Sequence, residues 1–174
     1  MKITLFSILL FSSLSFPVLA QEVTIKQALA RFETNTESVG PDLKFSGEGN
    51  GLSGTISFRD STFSLSFSLN QLKTGIKLRD IHMYEDYLET DRYPTATFVG
   101  TFRAGKKPGE IIAKGKFTLH GVTRDQVIAG TISGGVLTAY WDLRLSDFKI
   151  ETPEKFLIGK VSDILKMSAI IKLD

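Results

Sequence analysis

The sequence has no cysteine, only two histidines and a single tryptophan. Without cysteine there is no disulfide, no thiol nucleophile and no thiolate metal site, so stability rests on the core alone. Two histidines, His82 and His120, fall short of the three or four ligands a zinc site needs, and no spaced carboxylates complete the set. Neither a metal nor a cofactor is expected. Charge of one sign is lacking too: 21 Lys and Arg stand against 19 Asp and Glu, a formal net charge of +2. No Lys/Arg cluster gives a nucleic-acid footprint, and no polybasic stretch along the chain marks an anionic membrane surface.

Long apolar runs are absent as well, except at the N-terminus. Met1-Lys2 supplies a positive end, and Ile3 to Leu19 is uncharged and rich in Leu, Phe, Ile and Ser. Val18-Leu19-Ala20 places small residues where a signal peptidase cuts, which predicts cleavage before Gln21. The competing reading, a membrane anchor, asks for roughly 20 apolar residues, whereas this run is shorter and broken by serines and Pro17. Residues 1–20 are therefore expected to be a signal peptide, and the protein to be exported, to a periplasm or a similar compartment. Taking 20 from 174 residues leaves 154, residues 21–174, enough for one domain with a real core.

What the sequence does have is alternation with period two. Phe63, Leu65, Phe67 and Leu69 share one face of Thr62–Leu69, with serines and a threonine on the other. Further alternating stripes are Leu52-Gly54-Ile56-Phe58, Ala96-Phe98-Gly100-Phe102 and Ile111-Ala113-Gly115-Phe117-Leu119. Leu137-Ala139-Trp141-Leu143-Leu145 and Leu165-Met167-Ala169-Ile171-Leu173 follow. Weaker strands are read near Arg31–Thr36, Leu43–Gly47 and Gln126–Ser133, giving eight or nine in all. Gly49-Asn50-Gly51, Arg59-Asp60-Ser61, Gly105 to Gly109 and Gly134-Gly135 supply the turn chemistry between them. Short links of this kind predict sequential antiparallel strands that curl into a barrel or pair into a sandwich. Gly54, Gly100 and Gly115, inside apolar stripes, point either to sharp coiling of the sheet or to room for a ligand.

Leu78 to Tyr93 breaks the alternation. Ile81, Tyr84 and Leu88 fall at helical spacing, with Asp80 as a cap and Pro94 as a stop, so a short amphipathic helix is expected over the barrel. Asp147 to Asp163 reads as a long link whose apolar patches, Phe148/Ile150 and Phe156/Leu157/Ile158, pack down.

Two blocks in this chain carry a family resemblance. Thr74-Gly75-Ile76-Lys77-Leu78-Arg79-Asp80-Ile81-His82-Met83 followed by Tyr93-Pro94-Thr95-Ala96-Thr97-Phe98 resembles the central signature of the YceI-like family. Gly115-Lys116-Phe117-Thr118-Leu119-His120-Gly121-Val122-Thr123 is similar to the same family's Gly-Val-Thr turn. Many members also begin with a His-Ser pair, which Ala30 to Thr36 lacks. The resemblance implies an all-β fold: an antiparallel eight-stranded, lipocalin-like barrel with a short helical segment and an elongated cavity. It also implies an exported protein associated with polyisoprenoid binding; with the apolar stripes, the function expected is a binding protein that sequesters or carries a lipid-like ligand, a polyisoprenoid, a quinone or a fatty amide.

Phe58, Phe63, Phe67, Phe98, Phe117 and Trp141 are the candidate ligand-binding residues, because they are large and lie on the apolar faces. The same side chains would equally fill a ligand-free barrel that acts through its surface. Arg79, Asp80 and His82 are the one cluster with catalytic potential, but no nucleophile motif accompanies them. The plainer assignments are Asp80 as cap, Arg79 paired with Glu85 or Asp86, and His82 on a buried carbonyl. His120 reads as an exposed turn residue, Trp141 as a wall or core residue with its indole N–H on one acceptor, and Tyr84, Tyr87 and Tyr93 as a rim. An enzyme is not expected; the oligomeric state is left open.

Overall fold

The structure is a computed structural model that describes residues 22–37, 43–152, 154–155 and 159–173. The expected signal peptide and Phe156 to Ile158 lie outside the described residues. Twelve strand segments form one antiparallel sheet: β1 Glu22–Thr24, β2 Ala28–Glu37, β3 Lys44–Gly49, β4 Leu52–Ser57, β5 Thr62–Ser68, β6 Thr95–Ala104, β7 Glu110–Leu119, β8 Val122–Ser133, β9 Val136–Arg144, β10 Glu154–Lys155, β11 Gly159–Val161 and β12 Ile164–Lys172.

Register reduces these to eight barrel strands among the described residues. Glu22 stands opposite Ser57 in the β1–β4 ladder; thirteen residues further on, Asn35 stands opposite Lys44, thirteen residues back. β1 and β2 are thus two parts of one bent strand, and β3 and β4 two parts of its partner. β2 bonds β3 on one side and β12 on the other, so the ladder through β4, β5, β6, β7, β8, β9 and β12 returns to its start. This is the all-β barrel expected. β10 and β11 form a small flap on the far end of β2.

One turn expectation is corrected by that register. Gly49-Asn50-Gly51 is not a hairpin but the bend inside the β3–β4 strand. A 3₁₀ turn, Leu69–Gln71, presses on the bend: a Cβ on Gly49 would lie 2.3 Å from the Gln71 carbonyl oxygen. The stripe glycines also resolve. Gly100 and Gly115 face each other across the β6–β7 ladder, and a Cβ on Gly100 would meet the Lys114 oxygen at 2.2 Å and Gly115 Cα at 2.5 Å. They permit tight coiling of the sheet; neither is among the residues that line the cavity.

The three tight turns after β4, β6 and β8 sit at one end of the barrel, while the helical segment and the 3₁₀ turns lie at the other. Helix α1, Lys77–His82, continues into a π-helical turn, Met83–Tyr87. Its N-cap is Ile76, not Asp80. The extra residue of the π turn shifts the phase, so Asp80 and Leu88 are buried while Ile81 is exposed. After β9 the chain makes a 3₁₀ turn, Leu145–Phe148, ends it on left-handed Lys149, and buries Phe148 and Ile150 as expected of a packed link.

Candidate functional site

The barrel encloses a cavity of about 710 Å³, within the range of small-molecule sites. Its volume follows from the side-chain register. Gly130, Ala139, Ala169 and Ala30 are lateral partners on β8, β9, β12 and β2, and all four line the cavity. Inward positions on either side of this row carry large residues: Trp141, Met167 and Phe32 in one register, Ile132, Leu137 and Ile171 in the other. The row of small residues leaves a recess along half of the barrel. Across it stands an aromatic ladder, Phe63 against Phe98 at 4.7 Å between ring centroids, Phe98 against Phe117 at 6.0 Å, and Phe117 against Phe148 at 5.6 Å.

All six residues singled out from the sequence line this cavity. Phe63, Phe98 and Phe117 form the ladder, and Phe67 lies further along β5 towards the helical end. Phe58 sits past the end of β4 among the tight turns, half-exposed and edge-on to Phe102 at 5.5 Å. Trp141 is on the opposite wall, where β9 parts from β8: the ladder between them runs only from Ala129–Tyr140 to Ser133–Val136. The 3₁₀ turn Leu145–Phe148 packs on β8 at that gap. Contrary to expectation, the buried indole N–H of Trp141 has no acceptor among the described residues, and the Thr34 hydroxyl is likewise buried without a partner. Phe32, Thr34 and the small-residue row were missed in the sequence. The Ala30-Phe32-Thr34-Thr36 alternation was a usable signal for the first two.

At the helical end the signature residues tie the covering segment down. The Asp80 carboxylate accepts from the Thr74 amide at 2.7 Å and from the Thr74 hydroxyl at 2.6 Å. Arg79 donates to the Thr74 hydroxyl and carbonyl oxygens, at 3.0 and 3.1 Å, and lies over the Phe45 ring. It does not pair with Glu85 or Asp86. His82 is not on a buried carbonyl; its Nδ1 is 2.7 Å from Asp86 on the half-exposed side of the helix. Asp80 and His82 thus have separate partners, and the triplet does not converge as an acid–base pair with its orienting group. Among the described residues no group of three or more His, Asp or Glu is placed to hold a metal ion.

His120 is the other correction. It occupies the left-handed region, φ 50°, in the β7–β8 hairpin with Gly121 at φ 70°, the pair a tight hairpin turn requires. Its ring is not exposed. Nε2 is 2.6 Å from the Glu89 carboxylate, Nδ1 is 3.2 Å from the Phe148 carbonyl oxygen, and the ring meets Tyr93 edge-on at 4.6 Å. One side chain thereby joins the hairpin, the segment after the π turn and the 3₁₀ turn. Replacing it with asparagine, which tolerates the left-handed backbone, is expected to cost about 1–3 kcal/mol through the lost hydrogen bonds. Urea unfolding of His120→Asn measures it; an unchanged midpoint would show that the three segments hold without it.

The comparisons with known proteins agree with this architecture. A model of the YceI-like domain matches residues 21–173. No curated protein matches the sequence. Among solved structures, BcnA of Burkholderia cenocepacia is similar with a TM-score of 0.66 and 17% identity, over 82% of this chain and 94% of that one. A polyisoprenoid binding domain from Saccharophagus degradans, implicated in plant cell wall breakdown, gives 0.64 and 17%, over 87% and 98%. The YceI protein of Campylobacter jejuni gives 0.61 and 19%, over 79% and 94%. At such identities these likenesses speak for the fold, while the family match spans nearly the whole sequence. By that match, with the two sequence blocks seated at the helical end of the barrel, the chain belongs to the YceI-like family.

Proposed function

We propose that this protein binds one apolar, lipid-like molecule inside its barrel, a polyisoprenoid, a quinone or a fatty amide, and carries or sequesters it outside the cytoplasm without acting as an enzyme. The observation that carries this reading is the 710 Å³ cavity between a phenylalanine wall and a row of small residues. A barrel whose phenylalanines filled its centre would have no such space, which weighs against the ligand-free alternative. The polyisoprenoid-binding description of the Saccharophagus degradans domain supports the same ligand class.

Removal of alkyl or prenyl surface from water drives the association, at about 25 cal/mol per Å² before ordering costs. Phe58, Phe63, Phe67, Phe98, Phe117 and Trp141 supply the contact surface in this reading. Export follows in the same proposal from residues 1–20, removed before Gln21.

Trp141 is the only tryptophan and lines the cavity, which makes it an internal reporter. Titration with farnesol and with decyl-ubiquinone is expected to change its emission saturably, at one ligand per chain. An emission unchanged by both, and by a long-chain fatty amide, would remove the reading. The intact mass of the secreted protein tests the export half, a chain beginning at Gln21 being the expected result.

A further inference from the structure

The two ends of the cavity differ in chemistry and in closure. At the helical end Leu43, Ile76 and Leu78 line it and are exposed, and Lys44, Arg79 and Glu151 border it with them. Among the tight turns the lining is apolar: Phe58, Phe102, Ile111 and Ile132. Ile25 and Leu173 pack in the same apolar cluster as the last three without lining the cavity, so they lie beneath this layer. The Leu173 amide donates to the Gly135 carbonyl oxygen at 2.9 Å, which fixes that side chain at the β8–β9 turn. One end is a mouth and the other a floor.

Phe58 is the thin part of that floor. It lines the cavity and is still 38% exposed, so one ring stands between the interior and solvent. Phe102 holds it edge-on at 5.5 Å between centroids. The Phe102 amide in turn donates to the Ser61 carbonyl oxygen at 2.9 Å, fastening the end of β6 to the turn that follows Phe58. Across the β6–β7 ladder Phe102 faces Ala113, a small residue that also lines the cavity. A closed floor limits length. At roughly 30 Å³ per non-hydrogen atom, the share of one water molecule in the liquid, a cavity of about 710 Å³ encloses about 24 such atoms. A chain twice that size leaves half of itself outside the mouth.

We infer that Phe58 and Phe102 are a length gauge: the ligand enters tail first, and this pair sets the longest chain that the barrel encloses. The inference rests on the carrier reading and narrows its ligand to single-chain molecules of about 24 non-hydrogen atoms or fewer, with the polar end at the mouth. Each methylene taken out of water adds affinity, but only until the tail tip meets the Phe58–Phe102 pair. Beyond that point an added carbon stays in water and contributes nothing.

The test is a chain-length series on the protein purified after export. Cis-parinaric acid is bound first and read by quenching of Trp141; straight-chain fatty acids of about 10 to 28 carbons, presented on cyclodextrin, then displace it. Wild-type affinity is expected to rise by up to about fourfold per added methylene and to stop rising at about 22 carbons, the acid that has about 24 non-hydrogen atoms. Phe58→Ala removes a half-exposed ring and should move that limit about four carbons longer, while Ala113→Leu, which builds up the floor beside Phe102, should move it about three carbons shorter. The two shifts have opposite signs, so either variant decides by itself. An affinity that climbs at the same rate to the longest acid, or a limit that neither variant moves, overturns the gauge and leaves the carrier reading standing. A wild-type protein whose Trp141 emission is not quenched by the probe removes the carrier reading and the gauge with it.

Discussion

Replacing Ala139 with tryptophan is expected to abolish most ligand binding, by tenfold or more, while leaving the protein as stable as wild type. Ala139 sits in the middle of the small-residue row, between Gly130 and Ala169, and lines the cavity opposite the phenylalanine ladder. Its side chain is partly accessible to the cavity, so an indole there extends into open volume and not into packed neighbours. Overpacking of a tight core costs roughly 1–3 kcal/mol, but here the space already exists. Titration of prenyl ligand against Ala139→Trp, with unfolding by urea as the control, separates the two effects. Retained affinity would mean that the ligand does not occupy the recess.

The largest loss of stability is expected at Gly100. Valine there would set its Cβ on the backbone of β7, 2.2 Å from the Lys114 oxygen and 2.5 Å from Gly115 Cα, where no rotamer relieves the clash. Either the ladder separates or the sheet uncoils, and the other strands of the closed barrel must follow. A cost of about 3 kcal/mol or more is expected, at or above the upper end for small-to-large changes in packed sites. That is a large share of the roughly 5–15 kcal/mol that stabilises an ordinary domain. Gly100→Ala should show a smaller loss in the same direction. If Gly100→Val unfolds within about 0.5 kcal/mol of wild type, the range of an inconsequential surface change, the curvature argument is wrong.

Period-two alternation made the strands legible because each separates an apolar inner face from a wet outer one. The stripe Phe63-Leu65-Phe67 is β5, and Leu137-Ala139-Trp141-Leu143 is β9. The six candidate residues reached the cavity wall for the same reason. Where the cavity lies was not legible. It depends on Gly130, Ala139, Ala169 and Ala30 falling in one lateral row, and they are up to 139 positions apart in sequence, from 30 to 169. Register joins them, and one sequence does not print register.

Local readings failed where tertiary contacts chose among locally acceptable options. Asp80 suits a cap, yet the Thr74 amide and hydroxyl draw it inside the helix. The helical stripe Ile81-Tyr84-Leu88 assumed 3.6 residues per turn, and the π turn at Met83–Tyr87 altered that phase. Gly49-Asn50-Gly51 has hairpin composition, but its glycines answer to the Leu69–Gln71 turn packed against them. His120 looked like a turn residue and is one; its second role comes from Glu89 and Phe148, which the sequence places far away.

The central claim, that the barrel holds a lipid-like molecule, is tested most directly by native mass spectrometry of the protein purified from its own exported compartment, followed by organic extraction. The account predicts a discrete added mass on the chain that extracts as a single apolar lipid. A bare chain mass that stays bare after incubation with prenyl alcohols, quinones and fatty amides would contradict it.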